Sequence, residues 1–557
     1  MNKETPRVAR AGQVRLWIAL ACAAGGLALV PLVSVVAALF QGGGAGVFAH
    51  LFATILPAYA FNTALLMALV GGLSALIGVG TAWLVSASAF PGRRLWSWVL
   101  VLPIAAPAYI IAYLYTDFLT YSGPVQSALR DLFGWQAGEY WFPEVRSLPG
   151  AALMLSLVLY PYVYLLARAS FSAQSRSQFL AARALGLSPT QALFRVAIPG
   201  ARLAIFGGVA LVLMETLADF GVADYFAIPT FSTGIFRTWF ALGDRQAAMQ
   251  LAGVMLIFVI ALVATEAATR RGQVVSADRF SAGSPPLTLS SGHALLANLA
   301  CAVPVILGFL IPVILLVINV MSARDQQSLA AFTRFISNSV GTAVVTAGLA
   351  TALAIVLAYA ARSVSRNDLS GYLIKAGVRL STLGYALPGA LLAVGLLGPL
   401  GLLDQSLTRV LRDTAGWNGG LILTGTAALL IYALIVRFLT VSFNSVTAGM
   451  AKISPSVDAA ARSLGASPTD LVRRVHVPLL GPQLGVSASL VFVDVMRELP
   501  ATLILRPFNF ETLATRVYRL ASDERIVEAS TAALIIVLVG LVPVFVLNMQ
   551  TKTADHG

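Results

Sequence analysis

The sequence predicts an all-α polytopic membrane protein, with about twelve transmembrane helices in two parallel six-helix repeats, and three observations lead there. Hydrophobic residues make up 58% of the chain and charged residues 11%, with a mean hydropathy of +0.83. A soluble domain carries roughly one quarter charged residues. Apolar runs able to cross a bilayer at about 20 residues each occur near 16–40, 62–86, 96–116, 149–169, 203–223, 247–266, 293–321, 339–361, 379–400, 420–440, 482–505 and 528–548. Finally, Leu180-Ala-Ala-Arg183-Ala-Leu-Gly186-Leu-Ser188-Pro189-Thr190-Gln191 returns as Ala459-Ala-Ala-Arg462-Ser-Leu-Gly465-Ala-Ser467-Pro468-Thr469-Asp470, 279 residues later in a chain of 557. Self-similarity at a fixed interval marks a duplicated unit.

Taken in order, the run 16–40 is about twice the length of a signal-peptide core and reads as a retained anchor. The runs 96–116 and 379–400 are interrupted by Pro103, Pro107 and Pro388, and interrupted helices line a cavity or bend around a neighbour. Residues 1–280 form the first repeat and 281–557 the second, joined by a Ser/Gly/Pro-rich linker from about Gln273 to Gly292. Lys and Arg number 24 in the two termini and every second loop against 12 in the intervening loops, with Arg497 inside a span. That bias places both termini, and both copies of the repeated loop (near 176–200 and 455–479), in the cytoplasm. An even number of spans per half makes the halves parallel, related by an axis along the membrane normal. Leu129-Arg130-Asp131 and Gly134-Trp135 recur as Leu411-Arg412-Asp413 and Gly416-Trp417 at 282; Thr233, Arg237 and Asp244 recur as Thr512, Arg516 and Asp523 at 279. Cys22 and Cys301, also 279 apart, lie in apolar runs and read as small packing residues. The net charge of +13 belongs to this membrane asymmetry and not to nucleic-acid binding.

Each copy of the loop reads as helix, turn, helix. Gly186 or Gly465 closes the first helix, glycine tolerating the left-handed backbone needed there. Ser188 or Ser467 caps the next, Pro189 or Pro468 fills its first position, and Gln191 or Asp470 sits three after the cap, where it reaches back to a free amide. Pro199 and Pro478 are expected to end that second helix.

Glu215 with Asp219, and Asp494 with Glu498, are carboxylate pairs inside apolar runs, four residues apart and equivalent at 279. Four-residue spacing puts each pair on one helix face. Carboxylates in hydrocarbon are costly, so symmetry-related acids are expected to face a wet cavity that favours a cationic cargo. The competing reading is structural, because Arg497 lies three residues from Asp494 and one from Glu498. Tyr109, Tyr113 and Tyr115 read as membrane-interface aromatics, with phenol oxygens for a metal as the alternative. His476 reads as a solvated loop residue, and His50, His293 and His556 have no metal-ligand spacing. The loop 117–148 is either a dock for a soluble partner or a cap. The lysines, at 3, 375, 452 and 552, never follow a glycine, so the chain lacks a phosphate-binding loop of its own.

Two alanines, three residues, a glycine and a proline thirteen positions later describe Ala181, Ala182, Gly186 and Pro199, and again Ala460, Ala461, Gly465 and Pro478. This pattern resembles the ATPase-coupling loop of binding-protein-dependent ABC importer permeases. The family's glutamate before the alanines is replaced by Leu180 and Ala459, with Asp458 adjacent to the latter. Glu215-Thr-Leu-Ala-Asp219-Phe-Gly, Pro229-Thr-Phe, Arg237-Thr-Trp239-Phe, Asp494-Val-Met-Arg497-Glu498-Leu-Pro500-Ala-Thr, Arg516-Val-Tyr518 and Ala521-Ser-Asp-Glu524 resemble the fused twelve-span permeases of ferric-iron importers; fused thiamine permeases share that architecture. The resemblance implies a type I ABC importer permease fold in a bacterial inner membrane. It also implies two ATP-binding cassette subunits on the cytoplasmic side, which hold ATP and Mg, and a substrate-binding protein on the periplasmic or extracellular side. No cofactor is implied on this chain. Arg183, Ser188, Pro189, Arg462, Ser467 and Pro468 fall within the implied coupling contact. The rival class is an ion-coupled secondary carrier, whose twelve spans would also form two halves; a membrane enzyme finds no catalytic cluster.

Overall fold

The computed structural model describes residues 5–41, 50, 53–136, 138–173, 184–270, 287–322, 329–363, 369–416 and 418–554. Among the described residues, ten helices are long and apolar enough to cross a membrane, or up to twelve if each of two sharply bent pairs is one span. We number the spans in chain order: 1, Thr5–Phe40; 2, Leu56–Ala87; 3, the bent pair Arg93–Ala105 and Ala108–Phe133; 4, Leu148–Ala173; 5, Ile198–Ala218; 6, Arg245–Arg270. The second half follows with 7, Ser291–Ser322; 8, Leu329–Ser363; 9, Gly389–Ala415; 10, Ala427–Ala451; 11, Gly481–Met496; 12, Ile526–Ala554. Every predicted apolar run meets one of the ten helices or one of the two bent pairs.

The proline interruptions act as anticipated but shift the boundaries. In span 3 a tight turn, Leu102–Ala105, leads into extended Ala106 and Pro107 (ψ 124° and 138°), and the helix resumes at Ala108 after an 87° bend. Proline lacks the amide that would continue the ladder and pushes its predecessor out of the helical region. The same device recurs at Gly384–Ala386, Leu387 and Pro388. It splits the predicted run 379–400 into a separate helix Leu369–Ser381 and a span that begins only at Gly389.

The halves exchange their first spans. In span 1, a Cβ added to Gly25 would lie 2.8 Å from the carbonyl oxygen of Gly377, and one added to Gly377 would lie 2.5 Å from that of Ala21. Such backbone contact is how helices pack without a hydrophobic driving force. The hydroxyl of Tyr432 donates to the Leu27 carbonyl at 2.6 Å, so span 1 is bound into the second half. Span 7 does the converse: Ala294, Ala297, Cys301 and Val305 are buried with Ala82, Val85, Tyr160 and Tyr164 of the first half. Trp96 Nε1 donates to Asn298 Oδ1 at 2.7 Å, and Ser88–Ala89 pairs in parallel with Leu287–Thr288. Cys301 is thus buried and Cys22 exposed. Residues 271–286 of the expected linker lie outside the described residues.

Backbone geometry fixes the register of the repeat. Gly186 and Gly465 are left-handed (φ +88° and +85°), as are the helix-ending Gly134 and Gly416 (φ +67° and +64°), which bears out offsets of 279 and 282. Further on, Thr230 and Thr233 make a reciprocal cap for the helix Phe231–Phe236, and Thr512 and Thr515 make the same cap for Leu513–Ser522. The equivalent of Thr512 is therefore Thr230, at an offset of 282, and the expected pairing with Thr233 is corrected. Arg237 correspondingly matches Arg519 and not Arg516. Asp244 caps span 6 through the Ala247 amide at 2.9 Å, whereas Asp523 follows the end of Leu513–Ser522; these two are not equivalent.

Candidate functional site: the cavity between the halves and the two elbows

The carboxylate pairs do not share a helix face. Span 5 ends at Ala218, leaving Asp219 extended (ψ 130°), and its Oδ2 accepts from the Ala223 amide at 3.1 Å to cap the short helix Gly221–Tyr225. Span 11 ends at Met496, and Glu498 accepts from the amides of Ala501 (2.8 Å) and Thr502 (2.9 Å) and from the Thr502 hydroxyl (2.6 Å), capping Pro500–Leu505. Side-chain acceptors that satisfy the free amides of a new helix stop the old one. The predicted spans 203–223 and 482–505 are broken at these acids.

The breaks bring all four acids to one cavity of ≈ 120 Å³ between the halves, where Glu215, Asp219, Asp494 and Glu498 share the lining with Arg437 and Arg497. Glu498, 5% exposed, holds Arg437 at 3.2 Å. Asp494 holds Arg497 at 2.6 Å, and Arg497 also donates to the Ile104 carbonyl at 2.9 Å. Glu215 accepts from the Tyr385 hydroxyl at 3.1 Å, and neither it nor Asp219 has a cation at ion-pair distance among the described residues. At the offset of 279, Val158 stands where the second half has Arg437, and Ala218 where it has Arg497. Four carboxylates against two guanidiniums, both engaged by the second half, leave the surplus negative charge on the first.

Arg437 escapes the sequence reading, which counts it with the following loop although the run 420–440 contains it; span 10 continues to Ala451 and carries it inside. The tyrosines also differ from expectation. Tyr109, Tyr113 and Tyr115 are 6%, 2% and 6% exposed, core residues and not interface aromatics, because the bend at Pro107 turns their helix into the middle of the fold. No group of three His, Cys, Asp or Glu is placed to hold a metal among the described residues. Of the loop 117–148, Pro124–Phe133 is helical, and Trp135 stacks between Phe133 (4.6 Å) and Tyr140 (5.2 Å).

Both elbows carry the expected caps. Ser188 N–H donates to Gln191 Oε1 at 2.9 Å and Gln191 N–H to Ser188 Oγ at 3.2 Å; Ser467 and Asp470 exchange the equivalent bonds at 3.3 and 3.2 Å. Pro189 and Pro468 begin their helices. Ala460, Ala461 and Arg462 lie on the helix Pro455–Ser463; Ala181, Ala182 and Arg183 lie outside the described residues. Pro199 and Pro478 do not end a helix. A wide π turn, Leu193–Ala197 or Leu471–His476, precedes each, and the proline falls in the first turn of the next segment. Its missing amide costs little there. The first elbow therefore runs straight into span 5, while the second bends by 80° before span 11.

His476 is fully buried, not solvated. Its Nε2 lies 3.2 Å from Asp458 Oδ1, and Asp458 Oδ2 accepts from Arg362 Nε at 2.9 Å. Arg362 also donates to the carbonyls of Met450 (2.6 Å) and Ile453 (2.9 Å). Asp458, beside the position of the absent family glutamate, is thus turned into the fold. Ala197 stands opposite His476 in the first elbow.

Residues 74–269 match the family of binding-protein-dependent transport system inner membrane components. The chain is 25% identical over 489 residues to the Fe(3+)-transport system permease protein FbpB 2 of Haemophilus influenzae, covering 87% of this chain and 88% of that one. A permease from Salmonella typhimurium named for 2-aminoethylphosphonate transport is 33% identical over 133 residues, 24% of this chain and 49% of its own. The sulfate transport system permease protein CysW of Escherichia coli is 30% identical over 149 residues, 27% of this chain and 48% of its own. The helical fold and these matches relate the chain to the inner-membrane components of binding-protein-dependent transport systems: residues 74–269 match that family, and 87% of the chain is similar to a ferric-iron permease.

Proposed function

We propose that this permease imports ferric iron, driven by two ATPase subunits docked on its elbows on the cytoplasmic side and supplied by a substrate-binding protein on the other. The observation that carries the cargo is the cavity between the halves, with four carboxylates against two engaged arginines. A sulfate or phosphonate would meet a net negative wall there, whereas a cation is attracted by a ring of acids. Ferric iron is preferred to thiamine or another organic cation by the similarity to an iron permease over 87% of the chain.

Docking is supported by a feature common to both elbows. Leu185 and Leu464, each just before the left-handed glycine, are 85% and 88% exposed. A leucine held out on a stiff, capped turn at both symmetry-related places suits a cleft on a partner. Ala181, Ala182, Arg183, Gly186, Ser188, Pro189 and Pro199, with Ala460, Ala461, Arg462, Gly465, Ser467, Pro468 and Pro478, make up or support that contact. ATP and Mg are held by the ATPases; their closure drives the elbows together and switches the cavity between two rigid access states.

The test is uptake of radiolabelled ferric iron by cells with and without the protein, in the presence of excess thiamine. ATP-dependent iron uptake that requires the protein and ignores thiamine is expected. Uptake of labelled thiamine with none of iron overturns the cargo.

A further inference from the structure

Two hydroxyls beside the cavity have nothing to bond. Tyr109 and Tyr113 are 6% and 2% exposed, and neither phenol oxygen has a hydrogen-bond partner among the described residues. An unsatisfied buried hydroxyl is destabilising, so phenylalanine would be the stabler residue at both places unless the oxygens serve a purpose. The duplication supplies the comparison. The helices that follow Pro107 and Pro388 are equivalent at an offset of 281, which matches Tyr109 and Tyr113 to Ala390 and Val394, both fully buried. The fold thus packs these positions without phenols.

The two tyrosines belong to a longer series. The Tyr109 ring is 5.7 Å from that of Tyr113, which is 4.4 Å from Tyr225. Asp224 accepts from the Tyr518 hydroxyl at 2.7 Å, and Asp219, Asp224 and Tyr518 lie within electrostatic reach of the Tyr113 hydroxyl. At the inner end, Tyr109 lines the cavity with Glu215 and Asp219. At the outer end, exposed Arg146 covers Tyr225 at 4.7 Å and donates to its hydroxyl at 3.3 Å. An exposed cation–π contact is weak, so Arg146 leaves at little cost. The equivalents of Asp224 and Tyr225 at 279 are Leu503 and Ile504. All but one of the oxygen donors, Tyr518, come from the first half.

We propose that Tyr113 and Tyr109, together with Asp224 and Asp219, form an oxygen-donor relay through which a hard metal cation reaches the cavity, chiefly along the first half. Hard cations take oxygen ligands. The unbonded phenols supply the donors that the carboxylates are too few to provide, releasing their protons to a neighbouring carboxylate or to water as the metal binds. The inference rests on the cation-import reading.

The purified full-length protein is titrated with ferric nitrilotriacetate and its visible spectrum followed. A phenolate-to-iron charge-transfer band is expected in the wild type and in Tyr160→Phe, and its loss in Tyr109→Phe/Tyr113→Phe. Tyr160 is a second kind of control, since its hydroxyl is also buried and unbonded but packs beside Tyr164 with Cys301 in a separate cluster. In cells, the double variant is expected to lower ferric uptake on the order of tenfold or more at an unchanged protein level, and Tyr160→Phe to leave it unaltered. No band in the wild type, a band undiminished in the double variant, or unchanged uptake by the double variant overturns the relay. A wild-type band that the double variant loses, without any iron uptake by wild-type cells, overturns the import reading and with it the relay as a path, and leaves a phenolate iron site.

Discussion

The two halves share backbone devices, yet they spend their charges differently. The left-handed Gly186 and Gly465 and the paired threonine caps recur, and spans 5 and 11 both break at their acids. The side chains around those breaks do not: the second half closes its acids with Arg437 and Arg497, and ties half-buried Arg362 to buried Asp458 and His476 behind its elbow. The first half has Val158 and Ala218 at the positions of those arginines, and leaves Glu215 and Asp219 without a cation among the described residues. The halves thus repeat their backbone devices but differ in how their acids are engaged, one braced and one open.

That division can be broken experimentally. Arg437→Ala is expected to have the largest effect, because it strands Glu498 at 2% side-chain exposure. Removing one partner of a buried pair costs about 3–5 kcal/mol, to be read as a fall in thermal stability in detergent, with Arg437→Met/Glu498→Gln recovering much of it. Next, Glu215→Gln/Asp219→Asn should keep the protein level and lower iron uptake about tenfold or more, since both changes retain an acceptor oxygen. Asp494→Asn/Glu498→Gln should lower the protein level first, having discharged the partners of two arginines. Equal behaviour of the two pairs would erase the distinction between the halves. Smallest are Thr230→Ala and Thr512→Ala, each expected to cost about 1 kcal/mol and to match within a few tenths. Unequal costs would mean that the shared backbone devices have diverged as well.

What the sequence made legible follows the range of the forces involved. Bilayer thickness sets the length of an apolar run, so the runs that become the ten long helices and the two bent pairs could be counted; a cap is made three residues from its partner, so Ser188 with Gln191 and Ser467 with Asp470 could be read directly. Arg437 and Glu498 are 61 residues apart, and nothing local announces such a pair. The buried His476 was hidden for the same reason, its partners Arg362 and Asp458 lying on other helices. The register error at Thr233 arose because Thr230, Thr233, Thr512 and Thr515 form two three-residue repeats, with Arg516 and Arg519 alongside. A slip of three therefore matches like with like. The exchange of spans 1 and 7 left no trace in composition, because a helix face turned to lipid and one turned to another helix are equally apolar.

That exchange bears on how the protein is made. Span 1 leaves the ribosome early, yet its close contact, Gly25 against Gly377, lies about 350 residues further along. At roughly 5–20 residues per second, span 1 waits on the order of tens of seconds in the bilayer with a glycine face unclaimed. Two separate polypeptides would have to find each other during that interval, in competition with other half-built membrane proteins. A continuous chain keeps the late partner tethered to the early one, so correct assembly depends on the length of the tether and not on how many copies the cell happens to synthesise.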